Sequence, residues 1–587
     1  MLLGNEHLGR YTKKYFWTDS SFLLAIAGII GTITGFAGIG FRKAIGYAEI
    51  LFFSGGEKVL EGLMGNFYIV LLPALGGLLV GLIVCFIDKE VRGPGVSPVM
   101  AAVAQRDGII SPRLAITKFV ATSVNLGSGG SGGTEGPIVH IGAALGSAVG
   151  QFLKLSPGIL KTLVACGAAG GISATFNAPI GGVLFAQEII LGEFVTTKFI
   201  LIVISSVTSA TISRAVLGNY PAFFIQQYNL VHSAEILFFL VLGILSGIFA
   251  VLYIKTLYRI EDFFANWQHG IPEYLKPAVG GLLIGVIGLY FPQIFGLGYN
   301  TIETVLDNGL TLKLMVVLLF LKLLATSLTI GSGGSAGVIG PSLFMGAMLG
   351  GSFGYILNSL FPELTAPFGA YALVGMAGVF AGMSQAPVTG IIMLFEMTDN
   401  YMIVLPLMIV CVISSLVASG LHPESIFTER LARMGLDTGN REDIDLMATI
   451  PVEKVMTTDV VVMDADMDLI SAREIMQQYS FTGFPVVKDG QLIGIVTQED
   501  IHRKIKKGST LITLETVVGT NLLTLNPHNS VRQAIQKMAG GDVGRLPVVD
   551  PLDPTKLLGI ISRSDIINAY SLANKGGMEH ENDNHRN

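Results

Sequence analysis

Long apolar stretches broken by glycine and proline fill residues 21 to 421, and near residue 430 the pattern changes to short alternating runs between charged helical segments. In the first region SFLLAIAGIIGTITGFAGIGF, YIVLLPALGGLLVGLIVCFI and FILIVISSVTSATISRAVL are each close to the roughly 20 residues that a spanning helix needs. Other runs are shorter or interrupted. A backbone broken at membrane depth is tolerated only where protein or a water-filled cavity satisfies its polar groups, so the pattern predicts a pathway rather than an anchor. In the second region FPVVKDGQLIGIVTQEDI, from Phe484, resembles LPVVDPLDPTKLLGIISRSDI, from Leu546. Each copy follows an amphipathic helix pattern, SAREIMQQY or SVRQAIQKMAG, which predicts two βαββα-like modules in tandem.

These patterns divide the chain into an N-terminal arm (1–20), a membrane domain (21–432, with halves at about 21–218 and 232–432), a linker (433–450), two soluble modules (451–508 and 514–573) and a disordered tail (574–587). The arm has polar residues where a cleavable signal would need its apolar segment, so it is expected to be cytoplasmic. Of the 587 residues 51% are hydrophobic and 14% charged, and the mean hydropathy is +0.62, as expected of a polytopic membrane protein. The net charge of −6 constrains little. Cys85, Cys166 and Cys411 lie in apolar runs and read as core residues.

The membrane half repeats itself. KFVATSVNLGSGGSGGTEGP, from Lys118, aligns without a gap to KLLATSLTIGSGGSAGVIGP, from Lys322, and NAPIGGVLFAQE, from Asn177, matches QAPVTGIIMLFE, from Gln385. Duplication with interrupted helices in corresponding positions marks transporters whose site lies where the repeats meet. The two glycine loops are therefore expected to meet.

A helix that begins after a Gly/Ser loop exposes unpaired N–H groups at its positive dipole end and attracts anions. Two such loops would aim several helix starts at one point without any full positive charge, and partial charges let an ion leave as well as enter. Few acids lie in the spans, which argues against a cation pore lined by carboxylates. Glu135 is then a tethered anion, able to occupy the N–H groups that a mobile anion would use. Protonation or displacement would release it. The matching residue in the second repeat is Ile339, so one half alone carries the acid. An enzyme would need a nucleophile with its base, or a metal cluster, and the histidines show no spacing such as HExxH. His140, a turn past Glu135, reads as a packed or hydrogen-bonded residue.

These motifs resemble the CLC family of chloride channels and proton-coupled anion exchangers, over nearly the whole chain. GGTEGPIVHIG resembles the gating-glutamate motif, which assigns the gate to Glu135, with Gly133 and Gly136 beside it. GPGVSPVM, from Gly93, resembles the first anion-binding loop, GVIGP, from Gly337, the third, and SIFTERLARMG, from Ser425, the last membrane helix. The resemblance implies an all-α membrane domain with duplicated, inverted halves and broken helices, a homodimer with one pore per subunit, and chloride as the transported ion with protons as a second one in exchangers. It implies no required cofactor, no metal and no nucleic acid. The anion-binding positions that it assigns are Pro94, Gly95, Val96, Gly337, Val338, Ile339 and Phe427. Pro94 stands where the family usually has a serine and Phe427 where it usually has a tyrosine, so two hydroxyl donors are missing and backbone N–H groups around Gly95, Val338 and Ile339 are left to hold the ion. Proline at the first position resembles nitrate-preferring relatives. Ile189 falls where many exchangers place an internal proton-transfer glutamate, which favours channel-like or weakly coupled conduction over a chloride or nitrate/proton antiporter. Glu188 and Glu396, partners in the repeat, are expected to cap helices or to make a buried hydrogen bond.

GIVTQEDI and GIISRSDI resemble CBS domains, cytoplasmic α/β modules that pair in tandem and often bind adenine nucleotides. Thr497, Asp500, Ser562 and Asp565 are then the candidates for ATP, ADP or AMP, the hydroxyls near phosphate and the acids on the ribose, with Arg545 and Arg563 as phosphate partners. The competing reading is that each Thr/Ser–Asp pair caps its own helix. The short connections suggest a bacterial inner-membrane protein.

Overall fold

Interrupted apolar runs become helices that stop and restart inside the protein. A computed structural model describes residues 20–194, 196–219, 223, 232, 234–267, 271–398, 400–435, 450–479, 483–505, 512–518, 522–541 and 543–569. The N-terminal arm, most of the linker and the tail lie outside the described residues. Two units separate at Thr438, and each has its own core.

Among the described residues of the first unit, eight helices are long and apolar enough to cross a membrane, among them Ser21–Lys58, Tyr68–Phe86, Lys198–Leu217 and Ile339–Leu360. The duplicated sequence packs in duplicate. Helix Glu135–Phe152 lies on Pro157–Phe176 as Ile339–Leu360 lies on Phe368–Ser384, and Ser20–Glu49 lies on Thr196–Leu217 as Glu235–Asn266 lies on Val404–Leu421. Glycine permits these approaches, because a Cβ on Gly142 would stand 2.1 Å from the Gly167 carbonyl oxygen and one on Gly346 2.4 Å from that of Gly375. Small residues at such seams are how helices associate where lipid removes the hydrophobic drive. The helix glycines thus serve packing, and the loop glycines meet one another.

The second unit holds two small sheets. Strands β1 (Met463–Asp464), β2 (Gly483–Lys488) and β3 (Gln491–Thr497) form one sheet, with β1 parallel to β2 and β2 antiparallel to β3. Strands β4 (Arg545–Val549) and β5 (Leu557–Ser562) form the other, and a parallel bridge from Leu525 to Val548 stands where the first module has β1. The modules exchange their leading turns. Val452 packs into the core of the second module, and Leu514 into that of the first. Lys488 and Glu515, 2.6 Å apart, fasten the second of these turns, and that hydrogen bond holds the Lys488 ammonium above its ordinary range.

Candidate functional site

The two glycine loops touch through their backbones. Gly133 N–H donates to the Gly337 carbonyl at 2.8 Å and Gly337 N–H to that of Gly133 at 2.7 Å. Two further segments close on this pair. A Cβ on Gly136 would stand 2.1 Å from the Pro94 carbonyl oxygen, and one on Gly95, whose φ is +92°, 2.7 Å from that of Gly136. Ser97 donates its hydroxyl to the Phe427 carbonyl at 2.9 Å, and Tyr258 donates to that of Ile426 at 2.7 Å. Pro94, Gly95, Val96, Gly133, Gly136, Gly337, Val338, Ile339 and Phe427 are all buried, and the contacts between their loops bring them into one junction.

Three helices start there. They begin Val96-Ser97-Pro98, Glu135-Gly136-Pro137 and Ile339-Gly340-Pro341, each with proline as its third residue. The first N–H groups of a helix have no intrahelical acceptor, and proline removes one of them without loss. At each start this leaves the N–H groups of the first two residues, a ready anion cradle.

Glu135 occupies one of these cradles, and it is the cradle of the other half. Its carboxylate is fully buried; Oε2 accepts the Gly340 N–H at 3.0 Å and Oε1 accepts the Tyr299 hydroxyl at 2.7 Å. Neither Gly340 nor Tyr299 was singled out from sequence.

Two buried lysines hold loops beside the junction. Lys118 and Lys322, which open the two aligned segments, are completely buried. Lys118 donates to the carbonyls of Val91 and Gly93 at 2.8 and 2.6 Å, and Lys322 to those of Ile294 and Gly296 at 3.0 and 2.8 Å. Each ammonium thus ties down the loop that leads into a short helix, Val96–Gln105 or Tyr299–Leu306. These loops turn back inside the protein, and the lysines supply hydrogen-bond donors to their carbonyls. Arg430 lies against Gly93, where a Cβ would stand 2.2 Å from its Nη1. His140, expected to be packed or hydrogen-bonded, is packed: it is 1% exposed beside Gly95, and its Nδ1 has no partner among the described residues.

Away from the junction, Glu188 and Glu396 exchange caps. Glu188 accepts the N–H groups of Val388 and Thr389 at 3.3 and 2.7 Å, at the start of helix Pro387–Thr398. Glu396 accepts those of Ile180 and Gly181 at 3.0 and 2.6 Å, at the start of Pro179–Phe185. Ile189 is buried in the apolar core. In the second unit Thr497 and Ser562 donate their hydroxyls to Asp500 and Asp565 at 2.5 and 2.7 Å, and both acids also accept the N–H of that same Thr or Ser, the helix-capping geometry. Arg545 reaches across to the Gly483 carbonyl at 3.1 Å.

Residues 76–419 match the family model of the voltage gated chloride channel, and 452–507 and 514–572 each match that of the CBS domain. The chain belongs to the voltage-gated chloride channel family. It is an integral membrane protein with two CBS domains. A ClcB-like protein of Ralstonia nicotianae is 33% identical over 71% of this chain and 98% of its own length. The H(+)/Cl(-) exchange transporter ClcA of Vibrio parahaemolyticus is 31% identical over 70% of this chain and 89% of its own. A slow cyanobacterial Cl-/H+ antiporter of solved structure shares the fold, with a TM-score of 0.64 and 24% identity over 70% of this chain and 97% of that one.

Proposed function

We propose that this member of the family carries chloride or a similar small anion across the bilayer through the junction of its glycine loops, and that Glu135 is the gate. The observation that carries this reading is the Glu135 carboxylate on the Gly340 N–H, an anion already seated at a helix start. A mobile anion competes for that position, and protonation weakens the claim of Glu135 on it. Pro94, Gly95, Val96, Gly133, Gly136, Gly337, Val338, Ile339 and Phe427 form the path. Conduction is channel-like or weakly coupled to protons, since the buried Ile189 has no proton to give. The protein acts as a homodimer in a bacterial inner membrane with its termini in the cytoplasm.

A second reading, chloride/proton antiport, is favoured by the exchange transporter among the relatives. One assay tests both: purified protein in chloride-loaded liposomes, with anion efflux and internal pH recorded together. The channel reading expects anion flux without uphill proton movement. Proton movement driven against its gradient by chloride would reject it, and the absence of any anion flux from folded protein rejects both readings.

For the CBS pair we propose an adenine nucleotide, ATP, ADP or AMP, held by Thr497, Asp500, Ser562 and Asp565. Each Asp would exchange its Thr or Ser partner for ribose hydroxyls, leaving the freed Thr or Ser hydroxyl for phosphate. Titration of the full protein with the three nucleotides tests this, and no binding of any of them overturns it.

A further inference from the structure

Tyr299, which donates to the buried Glu135, lines open space. A cavity of about 700 Å³ is lined by Arg42, Thr134, Asn177, Arg214, Tyr299 and Glu303, and Arg42 and Arg214 are exposed, so it opens at the surface. A neighbouring cavity of about 430 Å³ also has Tyr299 in its wall. Tyr299 thus stands between open space and the fully buried Glu135, with its hydroxyl on Oε1 at 2.7 Å.

The position of Tyr299 is set from several sides. It is the first residue of helix Tyr299–Leu306, after Gly298 at φ +76°. A Cβ on Gly298 would stand 2.6 Å from the Phe344 ring, so that turn has one shape. Lys322 holds the preceding loop by two carbonyls, and the Phe223 ring meets that of Tyr299 edge-on at 5.4 Å. Thr134, the residue before the gate, lines the same cavity as Tyr299.

We propose that Tyr299 is the latch of the gate: its hydroxyl fixes the ionised Glu135 on Gly340, and release of that hydroxyl toward the cavity is the step by which a proton or anion arriving there opens the path. The inference rests on the Glu135 gate proposed above. An ionised carboxylate only accepts hydrogen bonds and gains most from a phenol donor, whereas a protonated one no longer needs it. The other groups acting on the pair are Lys322, Tyr253 and Arg42, and the charged groups Glu49, Arg214 and Glu303 line the same cavity as Tyr299. Tyr299→Phe leaves all of these in place and removes one hydroxyl.

The test is anion flux through the full chain in liposomes across a pH series on the cavity side. For Tyr299→Phe the expected result is a flux midpoint about one pH unit more alkaline, a roughly tenfold higher flux where the wild type is mostly closed. Glu135→Gln should give a flat profile, and adding Tyr299→Phe to it should change nothing further. A wild-type profile in Tyr299→Phe beside a flat Glu135→Gln rejects the latch and keeps the gate. A wild-type profile in Glu135→Gln rejects the gate, and the latch with it. Equal loss of flux when Tyr299→Phe is added to either background assigns a merely structural role and also rejects the latch. If Tyr299→Phe does not fold, Gly298→Ala displaces the start of the Tyr299 helix against the Phe344 ring; a midpoint shifted in the same direction supports the latch and an unshifted midpoint overturns it.

Discussion

Glu135 is seated by groups 164 and 205 residues away in sequence, and this distance explains what could be read in advance. The acid and its glycine loop stand out locally, because a carboxylate between apolar runs demands an explanation. Tyr299 and Gly340 do not, since their role exists only once the halves meet. Lys118 and Lys322 did leave a signal, an identical lysine at the same place in two apolar runs, and an ionisable residue there is functional by default. Pro94 and Phe427 support a prediction at this scale. Ser97 has already given its hydroxyl to Phe427, so the inner part of the path has few side-chain donors left. Pro94→Ser, or Phe427→Tyr, adds a donor with a net worth of about 0.5–1.5 kcal/mol. The expected outcome is a several-fold lower half-saturating chloride concentration for flux in either variant. If neither changes it, the ion does not pass these positions.

Elements repeat as the sequence repeats, and this part of the fold was legible. Asn177 and Gln385, aligned in the second repeated pair, both close their helices with left-handed backbones, at φ +58° and +53°. The exchange of caps was legible only as a tendency: sequence pointed to helix capping or a buried hydrogen bond for Glu188 and Glu396, but which helices they cap depends on how the halves cross. Removing a side-chain cap costs about 0.5–2 kcal/mol, and the helix dipole adds to the preference for an acid there. Glu188→Ala and Glu396→Ala should therefore each lower the thermal midpoint of the purified protein, while Glu→Gln at either position lowers it less. Anion flux per folded protein should stay near wild type in the Gln variants. A Glu188→Gln variant with normal stability but no flux would show that this acid serves transport and not architecture.

At the scale of the whole molecule there are two units with separate cores, and the proposed function gives passage to one and regulation to the other. The core of the membrane unit draws on residues from Phe41 to Leu431. Within the CBS pair the exchange of leading turns makes the modules depend on each other. Val452, fully buried, fills the core of the second module from the start of the first. Sequence could not foretell this, because the repeat unit read from Phe484 and Leu546 contains neither turn. Val452→Asp places an unpaired charge in that core, among the mechanisms that cost more than about 4 kcal/mol. The second module should then unfold while the membrane unit keeps its own packing. Thermal unfolding of the full protein should lose or lower one transition and leave the other in place. Anion flux should remain, and any response of that flux to ATP, ADP or AMP should disappear. Loss of both transitions together, with loss of flux, would mean that the membrane unit needs the CBS pair in order to fold, and the division of labour drawn from the separate cores would be wrong.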